Sequence, residues 1–143
     1  MREATGNALL TMMMTSIIAI IMIFFVGSIS YTKAYKIKNH IINEIEDNKG
    51  WDDNIKTKVD SYLGDAGYYV SKNNSTCPDY GSDCQLVYNH ENYDYCVYKC
   101  GINSTDVNIS YKVITHMKFD FPVIGSMIKF DVKGETGTFG DFN

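Results

Sequence analysis

The side chains in this sequence that could do chemistry are few and, His40 apart, gathered past residue 76: Cys77, Cys84, Cys96 and Cys100, the histidines His40, His90 and His116, and the acids Asp79 and Asp83 flanking Gly81. Four cysteines in the runs CPDYGSDC and CVYKC admit two disulfides, a zinc site or buried free thiols. Neither spacing is the short knuckle of a structural zinc site, and an even cysteine number in a small exported domain reads first as two disulfides, with three connectivities open. Cys77, Cys84, Cys96 and Cys100 are therefore disulfide candidates, and no metal is assigned. Asp79 and Asp83 lack the Asp-x-Asn-x-Asp-Gly frame and distal Glu of a calcium loop, and read as turn residues. His40 falls on a helix, His90 in a hairpin loop and His116 on the wet face of a strand. None neighbours a Ser or Cys in a recognisable nucleophile setting, so no catalytic residue and no cofactor is assigned. A non-enzymatic chain is expected.

The elements that must position these residues follow from hydrophobic patterning. Residues 4–32 carry no charge, and Leu9, Leu10, Ile17, Ile18, Ile20, Ile21, Ile23, Phe24, Phe25 and Val26 together favour bilayer insertion by roughly 3–6 kcal/mol. One Lys or Arg near Ile20 would cost about 2.5–3.5 kcal/mol on the same scale. Val26-Gly27-Ser28 offers small residues for signal cleavage, but the uncharged run is about twice the usual hydrophobic length of a signal and continues as a helical pattern, so an uncleaved anchor is the reading adopted. Past Phe25 the pattern turns one-sided, with Tyr31, Ala34, Tyr35, Lys38, Ile41, Ile42 and Ile45 at spacings of three and four. A single helix is expected to run to Asn48-Lys49-Gly50, and a lone Gly27 does not end it. From Ala8 to Asp47 such a rod measures about 60 Å, of which the bilayer core takes about 30 Å. The projecting stripe, Ile41, Ile42 and Ile45 above all, must cover something.

A second helix opens at Trp51 and Asp52, with Asp52 as N-cap, Ile55, Val59, Tyr62, Leu63 and Ala66 on one face, and Gly64 or Gly67 at its end. Strands are expected near 68–72, 85–88 and 93–98, the last two joined through Asn89-His90-Glu91-Asn92. In ISYKVITHMKFDF, Ile109, Tyr111, Val113, Thr115, Met117, Phe119 and Phe121 alternate with Ser110, Lys112, Ile114, His116, Lys118 and Asp120, which predicts a strand over 109–121 with one buried and one wet face. Pro122 to Ser126 breaks it, and 127–133 resumes with Ile128, Phe130 and Val132 on one side. The fold class is α+β: a long N-terminal transmembrane and amphipathic helix packed on a small antiparallel sheet. The divisions are 1–30, the spanning half of the helix; 31–48, its amphipathic continuation; and 49–143, the head.

Composition narrows function further. The head is slightly acidic and poor in Lys and Arg, which argues against a nucleic-acid partner, since that would need a basic patch or stripe. Arg2 before the span against Lys33, Lys36 and Lys38 after it favours a cytoplasmic C-terminal part by positive charge, whereas paired thiols need an oxidising compartment. The cysteines decide the orientation adopted: a single-pass protein of the cell membrane with its head extracytoplasmic. Asn73, Asn74, Asn103 and Asn108 begin Asn-x-Ser/Thr triplets, and the eleven tyrosines serve either as half-buried core or as a sticky surface.

The start REATGNALL with Glu3 before the span, the run FFVGSISYTKAYKIKN and the ending YKVITHMKFDFPVIGSMIKFDVKGET together resemble the TadE-like pseudopilins of tight-adherence, type IV pilin-like systems. The likeness covers both ends of the chain and not residues 50–105. It implies a pilin-like fold and a structural subunit of a pilus or secretion assembly, with membrane lipid and other pilin-like subunits as partners of the N-terminal helix. It also implies an assembly role for Glu3, whose carboxylate at the membrane edge would meet the terminal amine of a neighbouring subunit; the plainer reading makes Arg2 and Glu3 a solvated cap. Only Met1 and Arg2 precede Glu3, so processing at a Gly-x4-Glu leader site is not expected. The competing class is a signal-anchored exported binding domain acting through its disulfide-tied, tyrosine-rich middle.

Overall fold

The computed structural model describes residues 2–68, 77–90, 95–101, 108–121 and 125–140, with 2–5, 90, 117–121 and 125–129 described as backbone. Helix α1 is Arg2–Asn48 and runs through Gly27 without a break. At 1.5 Å per residue its 47 residues make a rod of about 70 Å. Its end is set by hydrogen bonds: the Gly50 amide donates to the Ile45 carbonyl and the Lys49 amide to Glu46, the paired bonds that close a helix through a left-handed residue. That residue is Lys49, at φ 54°, rather than the glycine beside it.

Helix α2, Asp53–Asp65, begins where Asp52 accepts from the Ile55 amide at 2.8 Å. It closes in the same way as α1, with Gly67 (φ 60°) left-handed, the Gly67 amide donating to Gly64 and the Tyr68 amide donating to Leu63. A short 3₁₀ turn, Gly81–Asp83, leads into the sheet: β1 Cys84–His90, β2 Tyr95–Cys100, β3 Asn108–Phe121, β4 Gly125–Glu135 and β5 Phe139–Gly140. The strand order is β1-β2-β3-β4, antiparallel throughout, and β5 pairs with the start of β3.

The strand expected at 68–72 lies, beyond Tyr68, outside the described residues. Asn89 and His90, expected in a hairpin loop, extend β1 and pair with Cys96 and Tyr95. β5 had no forecast, since two residues are too short to show an alternation.

One face of the sheet packs on the helices. Ile37, Ile41 and Ile45 of α1, Ile55, Val59 and Leu63 of α2, and Tyr95, Val97, Tyr111 and Val113 of the strands form a single core, with Ile42, Trp51 and Tyr88 packed at its margin. Ile41 and Ile45 have no exposed surface and Ile37 almost none. Each such side chain stabilises by about 1.5–3 kcal/mol on burial. The covered stripe reads Gly27, Ser30, Ala34, Ile37, Lys38, Ile41 and Ile45. Tyr31 and Tyr35, expected in that stripe, stand beside it half exposed and stack on each other at 6.5 Å. Lys38 buries its stem and holds its ammonium 4.4 Å from the Tyr35 ring centre. The sheet follows the rod: Gly137 meets Glu46, and Gly134 lies against Ile42 and Lys38, so β4 traced backwards runs toward the apolar end of α1.

The other face of the sheet is covered over β2 and β3, while Asp131, Lys133 and Glu135 of β4 stay exposed on it. Ile114 is wholly buried, and His116 and Ser110 are nearly so, against the expectation that they face water. Cys96, Tyr98, Cys100 and Ile114 form a second cluster, closed by Cys77, Tyr80 and Cys84. Phe130, expected on the core side beside Val132, is half exposed.

Candidate functional sites: the bare helix and the bridged face

Two regions carry the candidate chemistry. The first is the N-terminal half of α1. Every residue from 6 to 26 is exposed on every side of the helix, and the stretch is apolar enough for a membrane crossing. Thr11, Thr15 and Ser16 turn their hydroxyls back onto carbonyls three or four residues earlier, at 2.8–3.0 Å, which removes their donors from the surface. An anchor and a signal sequence both have this form. Glu3 sits in the first turn of α1; its side chain, and so its assembly role, lies outside the described residues.

The second region is the face of the sheet turned away from the helices. Cys77 pairs with Cys96 and Cys84 with Cys100, with Cα separations of 5.9 and 4.0 Å. Both bridges arise from register. Cys96 and Cys100, four apart on β2, point to the same face, and Cys84 is the direct cross-strand partner of Cys100. Cys77 comes over that face on the segment Cys77 to Tyr80. The Tyr98 hydroxyl donates to the Pro78 carbonyl at 2.6 Å, and the Tyr80 ring meets the Tyr98 ring edge-on at 5.0 Å. Lys112 and Lys133 hold their ammonium groups 4.8 and 5.8 Å from the Tyr80 ring centre.

Under this strap lies a constellation spread over three strands. Cys96 on β2 faces Ile114 on β3; two residues along β3 on the same face is His116, and opposite His116 on β4 is Asp131. His116 Nδ1 is 2.7 Å from Asp131 Oδ1 and His116 Nε2 is 3.6 Å from Cys96 Sγ. A carboxylate only accepts, so Nδ1 carries the proton donated to Asp131, and Nε2 is the atom turned to sulfur.

On the helix side, the Tyr95 hydroxyl donates to Asp60 Oδ1 at 2.9 Å and the Tyr88 hydroxyl reaches Oδ2 at 3.4 Å. Burial first, and the Asp60 charge second, push the Tyr88 phenol up to about 12 and Tyr95 higher still. Burial, then the nearby Tyr80 and Asp79, push Tyr98 up to about 12. These phenols stay protonated and act as donors. Trp51 packs against both Tyr88 and Tyr95, so this tyrosine group is core rather than an open sticky surface.

Of the other candidates, Asp79 accepts from the Gly81 amide at 3.0 Å, the turn role expected of it. Among the described residues no three His, Cys, Asp or Glu side chains gather as metal ligands. His40 stacks on Tyr62 at 3.8 Å, and the His90 side chain lies outside the described residues. Asn73, Asn74 and Asn103 also lie outside them, while Asn108 is exposed at the start of β3. Sequence reasoning missed the pairing of His116 with Asp131 because it placed His116 on a wet face. The signal that finds it is the i,i+4 spacing of Cys96 and Cys100: two bridges rooted on one strand face draw a segment across that face.

The architecture is α+β, a long apolar N-terminal helix packed on a small antiparallel sheet in the pilin-like manner. No protein-family model, no curated protein and no solved structure matches the chain.

Proposed function

We propose that the chain is a non-enzymatic, membrane-anchored structural subunit of the pilin-like, TadE-like kind, built into a tight-adherence or type IV-like pilus or secretion assembly, with its head extracytoplasmic. The observation that carries this reading is the division of one unbroken helix: residues 6–26 are bare on all sides, while Ala34, Ile37, Ile41 and Ile45 are core. An apolar rod bare all round needs lipid or other apolar helices as its surroundings, and a head fused to the same rod is held at a fixed height above them. Two formed disulfides favour an oxidising compartment for the head. Glu3, in the first turn, is the assembly residue of this reading, pairing with the terminal amine of the next subunit.

The test replaces Glu3 by Ala. Membrane insertion stays intact, while incorporation into a filament or initiating complex falls about tenfold or more, the worth of one charge-assisted hydrogen bond. Equal incorporation of the variant counts against the assembly role. Crosslinking through residues 8–30 reports lateral self-association; a chain that stays single there while its head binds a ligand is the exported binding domain instead.

A further inference from the structure

We propose that the Cys77–Cys96 bridge is a thiol–disulfide exchange site, opened by a dithiol reductant that attacks Cys77 Sγ, with Cys96 as the leaving sulfur and His116 as the group that receives it. The two bridges of the molecule share one sheet face, but their surroundings differ. Among the described residues, Cys96 Sγ is the one sulfur of the four that faces an imidazole nitrogen, His116 Nε2 at 3.6 Å, and that imidazole is held from behind by Asp131 at 2.7 Å. Cys84 and Cys100 sit in the same cluster, without such a neighbour among the described residues.

Access selects the atom attacked. Cys96 is 1% exposed and Cys77 is partly exposed, on a segment that lies over the sheet rather than within it. An incoming thiolate therefore bonds to Cys77 Sγ, the Cys77–Cys96 bond breaks, and its electron pair stays on Cys96 Sγ. The proton lost by the incoming thiol on ionising is taken up, through solvent, by the His116–Cys96 pair, where an N–H at Nε2 donates to the sulfur and the Asp131 carboxylate balances the imidazolium. The second thiol of the reductant then attacks the mixed disulfide, which frees Cys77 as a thiol and leaves the reductant as an internal disulfide. The protein gains two electrons and the dithiol loses them. A leaving sulfur whose anion is held by a charged donor departs faster. His116 and Asp131 are thus positioning residues for exchange at one bridge. Opening it releases the Cys77 to Tyr80 strap and uncovers Tyr98 and Ile114. The inference stands apart from the pilus reading, since it needs only the head.

The experiment uses the full chain in detergent micelles. Limiting dithiothreitol is added, samples are quenched in acid and alkylated, and the opening rate of each bridge is read separately by peptide mass spectrometry. The rate ratio of the two bridges within one molecule is the readout, because general loosening of the head moves both. In the parent, Cys77–Cys96 opens about tenfold faster than Cys84–Cys100. His116→Gln slows that bridge about three- to tenfold and leaves the other unchanged; Asp131→Asn, at a half-exposed side chain, acts in the same direction and serves where the first variant fails to fold. Equal opening rates in the parent, earlier opening of Cys84–Cys100, or a ratio unmoved by the variants overturns the proposal.

Discussion

Replacing Ile41 by Ala tests the central physical claim, that the far half of α1 belongs to the core of the head. Ile41 has no exposed surface and packs among Ile37, Ile45 and the strand residues Val97, Tyr111 and Val113. The change removes three carbons, about 2.4 kcal/mol at 0.8 kcal/mol per buried methylene, and the cavity left in a surface shared by helix and sheet brings the total to about 2–5 kcal/mol. With a urea slope of about 2 kcal/mol per molar, the midpoint falls by roughly 1–2.5 M. Trp51 is the single tryptophan and packs on Tyr88 and Tyr95 in the same core, so its fluorescence reports this transition in detergent without a label. Ile29→Ala, on the same helix at a residue 66% exposed, is the control and changes stability by no more than about 0.5 kcal/mol, a midpoint shift of about 0.25 M or less. Equal shifts for the two variants would refute the claim, because a helix that merely tethers the head would feel both alike.

Two further outcomes follow from the head itself. Gly101 sits at φ 91°, and a Cβ there would be built into the Asn108 carbonyl oxygen, so Gly101→Ala lowers stability by at least about 1–3 kcal/mol in the same urea assay. Gly140→Ala, with open space around it, is the comparison and is near neutral. Alkaline pH unfolds the head: phenols titrate near 10 in the unfolded chain, and Tyr88 and Tyr98 are pushed up to about 12 with Tyr95 higher, so the stabilisation is whole below pH 10 and is lost as pH rises through 12. Urea midpoints taken at pH 9, 10 and 11 fall in the parent and fall less steeply in Tyr95→Phe; a flat profile would contradict the buried-phenol account.

What could be read from the sequence divides along one line: local periodicity was legible and contact between distant segments was not. The rod, the Asp52 cap and the long β3 each repeat a pattern within themselves, at spacings of three and four or of two. The choice of Lys49 over Gly50 as the left-handed residue depends on which pair of amides reaches the Glu46 and Ile45 carbonyls, a matter of one residue that composition does not resolve. The second face of the sheet was misread for a different reason. Alternation assigns the apolar residues of β3 to one side, and Ser110, Lys112 and His116 look like a solvent face until the segment from Cys77 to Tyr80 is known to lie against Cys96, Tyr98 and Lys112. Ile114, apolar among those polar neighbours, was the local hint. The Asp60 partnership with Tyr88 and Tyr95 likewise joins α2 to strands that lie far along the chain.

The two faces of the sheet are closed by different means, and this shapes how the molecule can respond to force and to redox change. On one side Ile37, Ile41 and Ile45 belong to the same helix as the bare residues 6–26, so the head cannot shift along or away from the rod without exposing them, at roughly 5–9 kcal/mol for the three. A domain hung on a flexible linker has no such cost, and load applied to its anchor would reach it only through the chain. Here load on the rod passes into β3 and β4 through side-chain packing. On the other side the closure is covalent, two bridges and a tyrosine-lined strap that make no use of α1. Opening the Cys77–Cys96 bridge therefore leaves the isoleucine core in place, and truncating Ile41 leaves the bridges in place. Sites this separate are expected to add in free energy, and a combined variant whose loss exceeded the sum would mean that the strands between them carry the coupling.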